Sequence, residues 1–176
     1  MKFIKIPLEG AHLVEIDPYV DERGFFARTW CRDEALSRGL NPNVVQCSIS
    51  MNNKRGTLRG LHYQDEPCPE AKLVRCNAGA IYDVIVDLRP ASPTHKKWFA
   101  AELTANNHKM LYVPEGFAHG FQTLTDKAEV VYQMSELYRP ECSRGVRFDD
   151  PRFGIKWPIS DPVTSARDLS FPDYLL

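Results

Sequence analysis

Along its whole length the chain repeats one rhythm: short runs rich in β-branched and aromatic residues, each closed by a turn-forming residue. Runs of this kind read as strands over Phe3 to Ile6, His12 to Ile16, Phe25 to Trp30, Val44 to Met51, Thr57 to Tyr63, Lys72 to Cys76, Ala80 to Leu88, Trp98 to Leu103, Met110 to Val113, Gly120 to Leu124 and Glu129 to Met134. Only Asp33 to Arg38 reads as a helix, with Asp33 as its cap and Gly39 as its left-handed stop. About a dozen short strands with almost no helix predict an all-β sandwich, jelly roll or small barrel with short peripheral helices and a ligand site in its mouth.

The clearest strand sharpens this expectation. Over Ala80 to Leu88, period-2 alternation puts Tyr82, Val84, Val86 and Leu88 on one face and Ile81, Asp83, Ile85 and Asp87 on the other. Two carboxylates on a half-apolar face predict a polar cavity or an interface. The 176 residues suffice for one domain, 1–176, able to bury a sizeable core without disulfides, and no repeat, low-complexity tract or flexible linker interrupts them.

A formal net charge of −1 gives no reason to expect nucleic acid or an anionic membrane as partner, although a local basic site for a small anion fits such a chain. The five cysteines are odd in number and form no CxxC pair, which disfavours a disulfide framework and a structural zinc site and favours a reducing compartment. With no apolar stretch of signal-peptide or membrane-spanning length, a soluble cytoplasmic protein is expected.

Two segments carry chemistry. In Thr57-Leu58-Arg59-Gly60-Leu61-His62-Tyr63-Gln64, strict alternation puts Leu58, Gly60, His62 and Gln64 on one face and Arg59, Leu61 and Tyr63 on the other. A lone strand histidine more often serves structure than catalysis, but Lys72 opens the next apolar run and can aim an ammonium into the same cavity. In Val113 to Phe121, a proline and glycines form a tight turn that delivers His119 at a strand start. The spacing Pro114-x-Gly116-x-x-His119 resembles the second motif of the cupin superfamily, whose members are double-stranded β-helices. The first cupin motif is incomplete, since His62 is followed by Gln64 and Glu70 is the only nearby acid. His62, Glu70 and His119 would make a two-histidine, one-carboxylate iron site, so a metal-dependent cupin oxygenase is the second expectation.

A closer resemblance covers nearly the whole chain. Asp21-Glu22-Arg23-Gly24-Phe25-Phe26, Gly56 to Gln64, Lys72-Leu73-Val74, Asp83 to Arg89, Ser92-Pro93-Thr94, Pro114 to Phe121, Val131-Tyr132, Asp149-Asp150-Pro151, Ile155 to Pro158 and Ser165-Ala166-Arg167-Asp168 together resemble the dTDP-4-dehydrorhamnose 3,5-epimerase (RmlC-type) family in order and spacing. The resemblance implies a cupin jelly roll and epimerisation beside the ketone of a nucleotide-diphosphate-linked 4-keto-6-deoxy sugar, without a cofactor or a metal. Such a reaction needs a base, a group to hold the enolate and an acid on the far face. By resemblance His62 is the base, Asp168 its partner, Lys72 the enolate-holding group and Tyr132 the acid.

The same resemblance places Arg59 and His119 near the diphosphate, and Arg23 in the pocket of a neighbouring subunit, implying a homodimer. Phe26 matches a position near the nucleotide, Gln46 lies in the nucleotide segment, and Tyr138 is expected to stack on base or sugar. The chain departs from the family at Arg28, where a glutamate is usual, and at Ser48, where an asparagine is usual; both changes fall at the nucleotide end. A sugar-nucleotide-binding cupin without catalysis is the non-enzymatic alternative. His12, His95 and His108 are read as surface residues.

Overall fold

The structure, a computed structural model, describes residues 1–174. Among them are thirteen strands and two short helices: β1 (Lys2–Lys5), β2 (His12–Glu15), β3 (Tyr19–Asp21), β4 (Gly24–Phe26), α1 (Arg32–Leu36), β5 (Gln46–Asn52), β6 (Leu58–Gln64), β7 (Lys72–Ala78), β8 (Ala80–Asp87), β9 (Trp98–Thr104), β10 (Met110–Val113), β11 (Phe117–Thr123), β12 (Ala128–Met134), β13 (Ser143–Gly145) and α2 (Ala166–Leu169). Two antiparallel sheets face each other, one in the order β1-β2-β10-β7-β12-β5 and the other β13-β6-β11-β8-β9, while β3 and β4 pair only with each other. This is an all-β jelly roll, one of the three architectures that the strand rhythm allows and the one that the resemblance implies.

The alternation in β8 settles which side chains go where. Ile81 and Ile85 join Val74, Leu111, Phe121 and Val130 in the core between the sheets. Val84 and Val86 face outward into a second core, covered by Phe148, Phe153 and Tyr174 from the C-terminal segment. Fully burying each such aliphatic side chain contributes roughly 1.5–3 kcal/mol, so a one-residue slip of β8 would expose the whole inner set. The two carboxylates that share the isoleucine face, Asp83 and Asp87, have separate fates. Asp87 binds Arg89, Ser92 and Thr94 and holds the turn after β8; Asp83 enters the site described below.

Three local expectations change. The strand read from Phe25 to Trp30 ends at Phe26, because β3 and β4 form a separate hairpin on which Phe26 is 80% exposed. Helix α1 starts one residue before Asp33 and its cap, Cys31, makes no side-chain bond; Asp33 lies in the first turn, where a carboxylate suits the positive helix end. Gly39 does take the left-handed conformation (φ +70°). His12, His95 and His108 are half-buried rather than exposed, with His12 bonded to the Gly10 carbonyl and His95 to the Tyr174 hydroxyl. No helix among the described residues is long and apolar enough to cross a membrane.

Candidate active site

A cavity of about 540 Å³ opens between the two sheets at the polar end of the core. The five-stranded sheet supplies Arg59, His62, His119 and Phe121; the six-stranded sheet supplies Gln46, Ser48, Lys72, Tyr132 and Met134; Glu70 and Tyr138 come from loops. A larger hollow of about 670 Å³ lies beside the C-terminal ends of β6, β8 and β10. It contains none of the predicted site residues, and its Asn41, Tyr112 and Glu115 are occupied with one another. The candidate site is therefore the smaller cavity, which gathers the predicted residues.

A pair of glycines builds the wall that carries His62. In β6 and β11, His62 faces His119 while Arg59 faces Phe121, so Gly60 and Leu61 together oppose Gly120, a β-bulge. Gly60 has φ +133°, and a Cβ there would lie 2.6 Å from the Gly120 Cα; a Cβ on Gly120 would lie 2.7 Å from the Arg59 carbonyl oxygen. The extra residue shifts the alternation by one. Leu58 and Leu61 consequently both enter the outer core, and Arg59, expected opposite His62, lines the cavity with it.

His62 Nε2 and Asp168 Oδ1 are 2.8 Å apart, and Asp168 Oδ2 accepts from the Gly60 N–H at 3.3 Å. Asp168 is only 4% exposed. It is delivered by α2, where the Ser165 side chain accepts from the Asp168 amide at 3.0 Å and caps the helix. Burial alone would push the Asp168 carboxyl up, but hydrogen bonds and charge from His62, with bonds from Gly60 and Ser165, hold it below the usual carboxylate range. An ionised Asp168 accepting from Nε2–H leaves Nδ1 as the ring's lone pair.

A second histidine–aspartate pair lies beside the first. His119 Nε2 is 2.7 Å from Asp83 Oδ1, both residues are buried, and Asp83 Oδ2 has no partner among the described residues. Across the cavity the Tyr132 ring stands edge-on to His119, with centroids 6.0 Å apart. Burial first, and then the Asp83 charge, push the Tyr132 phenol far above its ordinary value, with Arg59 opposing. Tyr132 is thus a protonated donor at neutral pH. In an ultraviolet titration, wild type and Tyr132→Phe are expected to show the same tyrosinate signal up to about pH 11, past the ordinary phenol value of about 10. A smaller signal in the variant would contradict this environment.

Lys72 Nζ lies 2.9 Å from Glu70 Oε1 and donates to the His62 carbonyl at 3.5 Å. The three residues read as an iron site are thus drawn into separate pairs, His62 with Asp168, Glu70 with Lys72 and His119 with Asp83. Among the described residues no cluster of three or more metal-ligating groups forms. Arg59 Nε donates to the buried Asn52 at 2.8 Å, which fixes the guanidinium and leaves its terminal nitrogens for an anion. Gln46 accepts from the Tyr138 amide at 3.1 Å and so anchors that loop to β5.

Arg23, Phe26 and Arg28 do not reach this cavity within the chain. Arg23 pairs with Asp21 on the exposed β3–β4 hairpin, and Arg28 pairs with Glu34 of α1 at 3.1 Å. Sequence reasoning missed Asn52, Phe171 and the role of Asp83. Phe171 stands edge-on to His62 at 5.6 Å and occupies the space a side chain on Gly145 would need, and Gly145 pairs directly with His62. For Asp83, the inward alternation of β8 was the available signal.

The chain is similar to known proteins over almost its whole length. The family described as dTDP-4-dehydrorhamnose 3,5-epimerase matches residues 5–174. A protein of that name from Methanothermobacter thermautotrophicus is 44% identical over 173 residues, covering 97% of this chain and 92% of the relative. The crystal structure of the Elizabethkingia anophelis enzyme of the same name superposes with TM-score 0.96 at 38% identity, covering 99% of this chain and 96% of that one. The Bacillus anthracis enzyme, solved with TDP and PPi bound, has TM-score 0.94 at 40% identity, covering 98% of this chain and 99% of that one. With a match that runs almost from end to end in both sequence and structure, the chain belongs to the dTDP-4-dehydrorhamnose 3,5-epimerase family.

Proposed function

We propose that the protein is a cofactor-independent epimerase that inverts carbon 3, carbon 5 or both in a dTDP-linked 4-keto-6-deoxy sugar, acting as a single-domain cytoplasmic homodimer in deoxysugar biosynthesis. The observation that carries this reading is the placement of the His62–Asp168 pair and Tyr132 on opposite sheets of one cavity, with Lys72 beside them. His62 Nδ1 takes the proton from the carbon beside the ketone, and Asp168 stabilises the imidazolium that forms. The Lys72 ammonium offsets the charge that develops on the enolate oxygen. Tyr132 returns a proton to the other face, which inverts the centre. Arg59 and His119, with Gln46, Ser48 and Tyr138, hold the dTDP end.

The hairpin supports the dimer. Tyr19, Val20, Phe25 and Phe26 are all exposed on it, and clustered exposed apolar side chains mark a surface that a partner covers. A partner's pocket would receive Arg23 and Phe26 from this hairpin, with Arg28 at its base.

In deuterated water the enzyme is expected to place deuterium at C3, C5 or both of dTDP-4-keto-6-deoxyglucose, and the number of positions labelled reads how many centres react. No incorporation would defeat the reading. For the dimer, mixing inactive Arg23→Ala protomers with inactive His62→Ala protomers should restore activity, because one mixed site then has both groups. Absence of recovery would place Arg23 outside the partner's pocket.

A further inference from the structure

The loop between β6 and β7 and the loop between β12 and β13 meet at two cysteines. Cys68 and Cys142 are free thiols whose sulfurs lie 2.8 Å apart. A disulfide bond is about 2.05 Å long, so closure needs less than an ångström of sulfur movement. The backbone is already held for it. Asp65 N–H donates to the Cys142 carbonyl at 2.9 Å, and Cys68 N–H donates to the Asp65 carbonyl at 3.0 Å. The buried Gln64 amide donates to the carbonyls of Cys68 and Leu137 at 3.1 Å each and accepts from Arg139 N–H at 2.6 Å.

Both loops carry site residues: Tyr138 follows Leu137, and Glu70, the partner of Lys72, lies two residues after Cys68. We propose that Cys68 and Cys142 form a reversible disulfide by exchange with a small-molecule disulfide, a redox latch that clamps the Tyr138 loop. Cys68 is half-buried and Cys142 only 2% exposed, so Cys68 reacts first. Its thiolate, having lost a proton to solvent, attacks one sulfur of the small disulfide and expels one small thiol. The Cys142 thiolate then attacks Cys68 of the mixed disulfide and expels the second. Two protein thiols are oxidised and one small disulfide is reduced to two thiols.

The hydrogen bond between the two sulfurs, with burial, pushes the Cys68 thiol up to about 11, so at neutral pH the latch closes slowly. Cys31, Cys47 and Cys76 have no thiol neighbour among the described residues. They offer no competing cross-link.

The test uses the whole protein, incubated with excess oxidised glutathione, alkylated and digested without reduction. Expected are linked peptides containing Cys68 and Cys142, two hydrogens lighter than their sum and released by dithiothreitol. The oxidised protein should melt roughly 5–10 °C higher, and amide exchange over residues 136–141 should slow at least tenfold. Cys142→Ser and, as the gentler change, Cys68→Ser should lose the glutathione-dependent shift. Glutathione adducts without a cross-link, or links through other cysteines, would overturn the proposal. A cross-link that leaves exchange in the Tyr138 loop unchanged would overturn the clamp.

Discussion

His62→Gln is expected to lower kcat by about 10³-fold or more and to abolish deuterium incorporation, while dTDP binds within a few-fold of wild type. The magnitude follows from removing a positioned base, which contributes about 10²–10⁴. Affinity is spared because the diphosphate contacts are assigned to Arg59 and His119 rather than to His62. Glutamine is the informative replacement, since its amide retains a donor for Asp168 Oδ1. Alanine would leave a buried carboxylate without its main partner, at about 1–3 kcal/mol.

The two replacements should also differ in acid. Asp168 has a depressed folded-state carboxyl, so its stabilising effect is fully present above the unfolded value of about 3.9 and is lost as pH falls through the folded value. In His62→Ala the depression shrinks, and acid unfolding should begin at higher pH than in wild type, with His62→Gln between them. Equal acid unfolding in all three proteins would show that the Asp168–His62 bond contributes nothing to stability. Deuterium exchange that persists in His62→Gln would remove His62 from the role of base.

Local pattern made much of this legible. The inward face of β8 was readable because Ile81, Asp83, Ile85 and Asp87 alternate without interruption, and the structure places both isoleucines between the sheets. Period-2 reasoning failed in β6, where one extra residue reverses the faces on either side of Gly60. Gly60, at φ +133°, is the local mark of that bulge, but its close partner Gly120 lies sixty residues away, and strict alternation ignores both. The His62–Asp168 contact spans 106 positions and was accessible only through resemblance to a family. Glu70 was misplaced as a metal ligand because its real partner, Lys72, lies two residues along the same segment. The resemblance puts Arg23 and Phe26 near the nucleotide, and the single chain leaves them on the exposed β3–β4 hairpin, away from its own cavity.

Gly60→Ala and Gly145→Ala separate two ways in which a missing side chain supports this site. At Gly60 the new methyl would meet backbone, the Gly120 Cα at 2.6 Å and the His119 carbonyl oxygen at 3.0 Å, with φ at +133°. Backbone cannot rotate aside, so strain of about 1–3 kcal/mol from the dihedral adds to about 1–3 kcal/mol of overpacking. The melting temperature should fall by roughly 10 °C, and activity should be lost because the bulge aims both Arg59 and His62. At Gly145 the obstacle is the Phe171 ring, 2.5 Å from the new methyl, and a ring on a loop can swing away. Gly145→Ala should therefore fold, but without the edge-on contact that holds His62, worth about 0.5–1.5 kcal/mol. A reduction of kcat by about 3- to 10-fold with KM little changed would match that loss. The double variant with Phe171→Ala decides the cause: with the ring gone the methyl has room, so the pair should be no worse than Phe171→Ala alone. Additive losses would mean that Gly145 serves β13 itself, and that Phe171 is not what it makes room for.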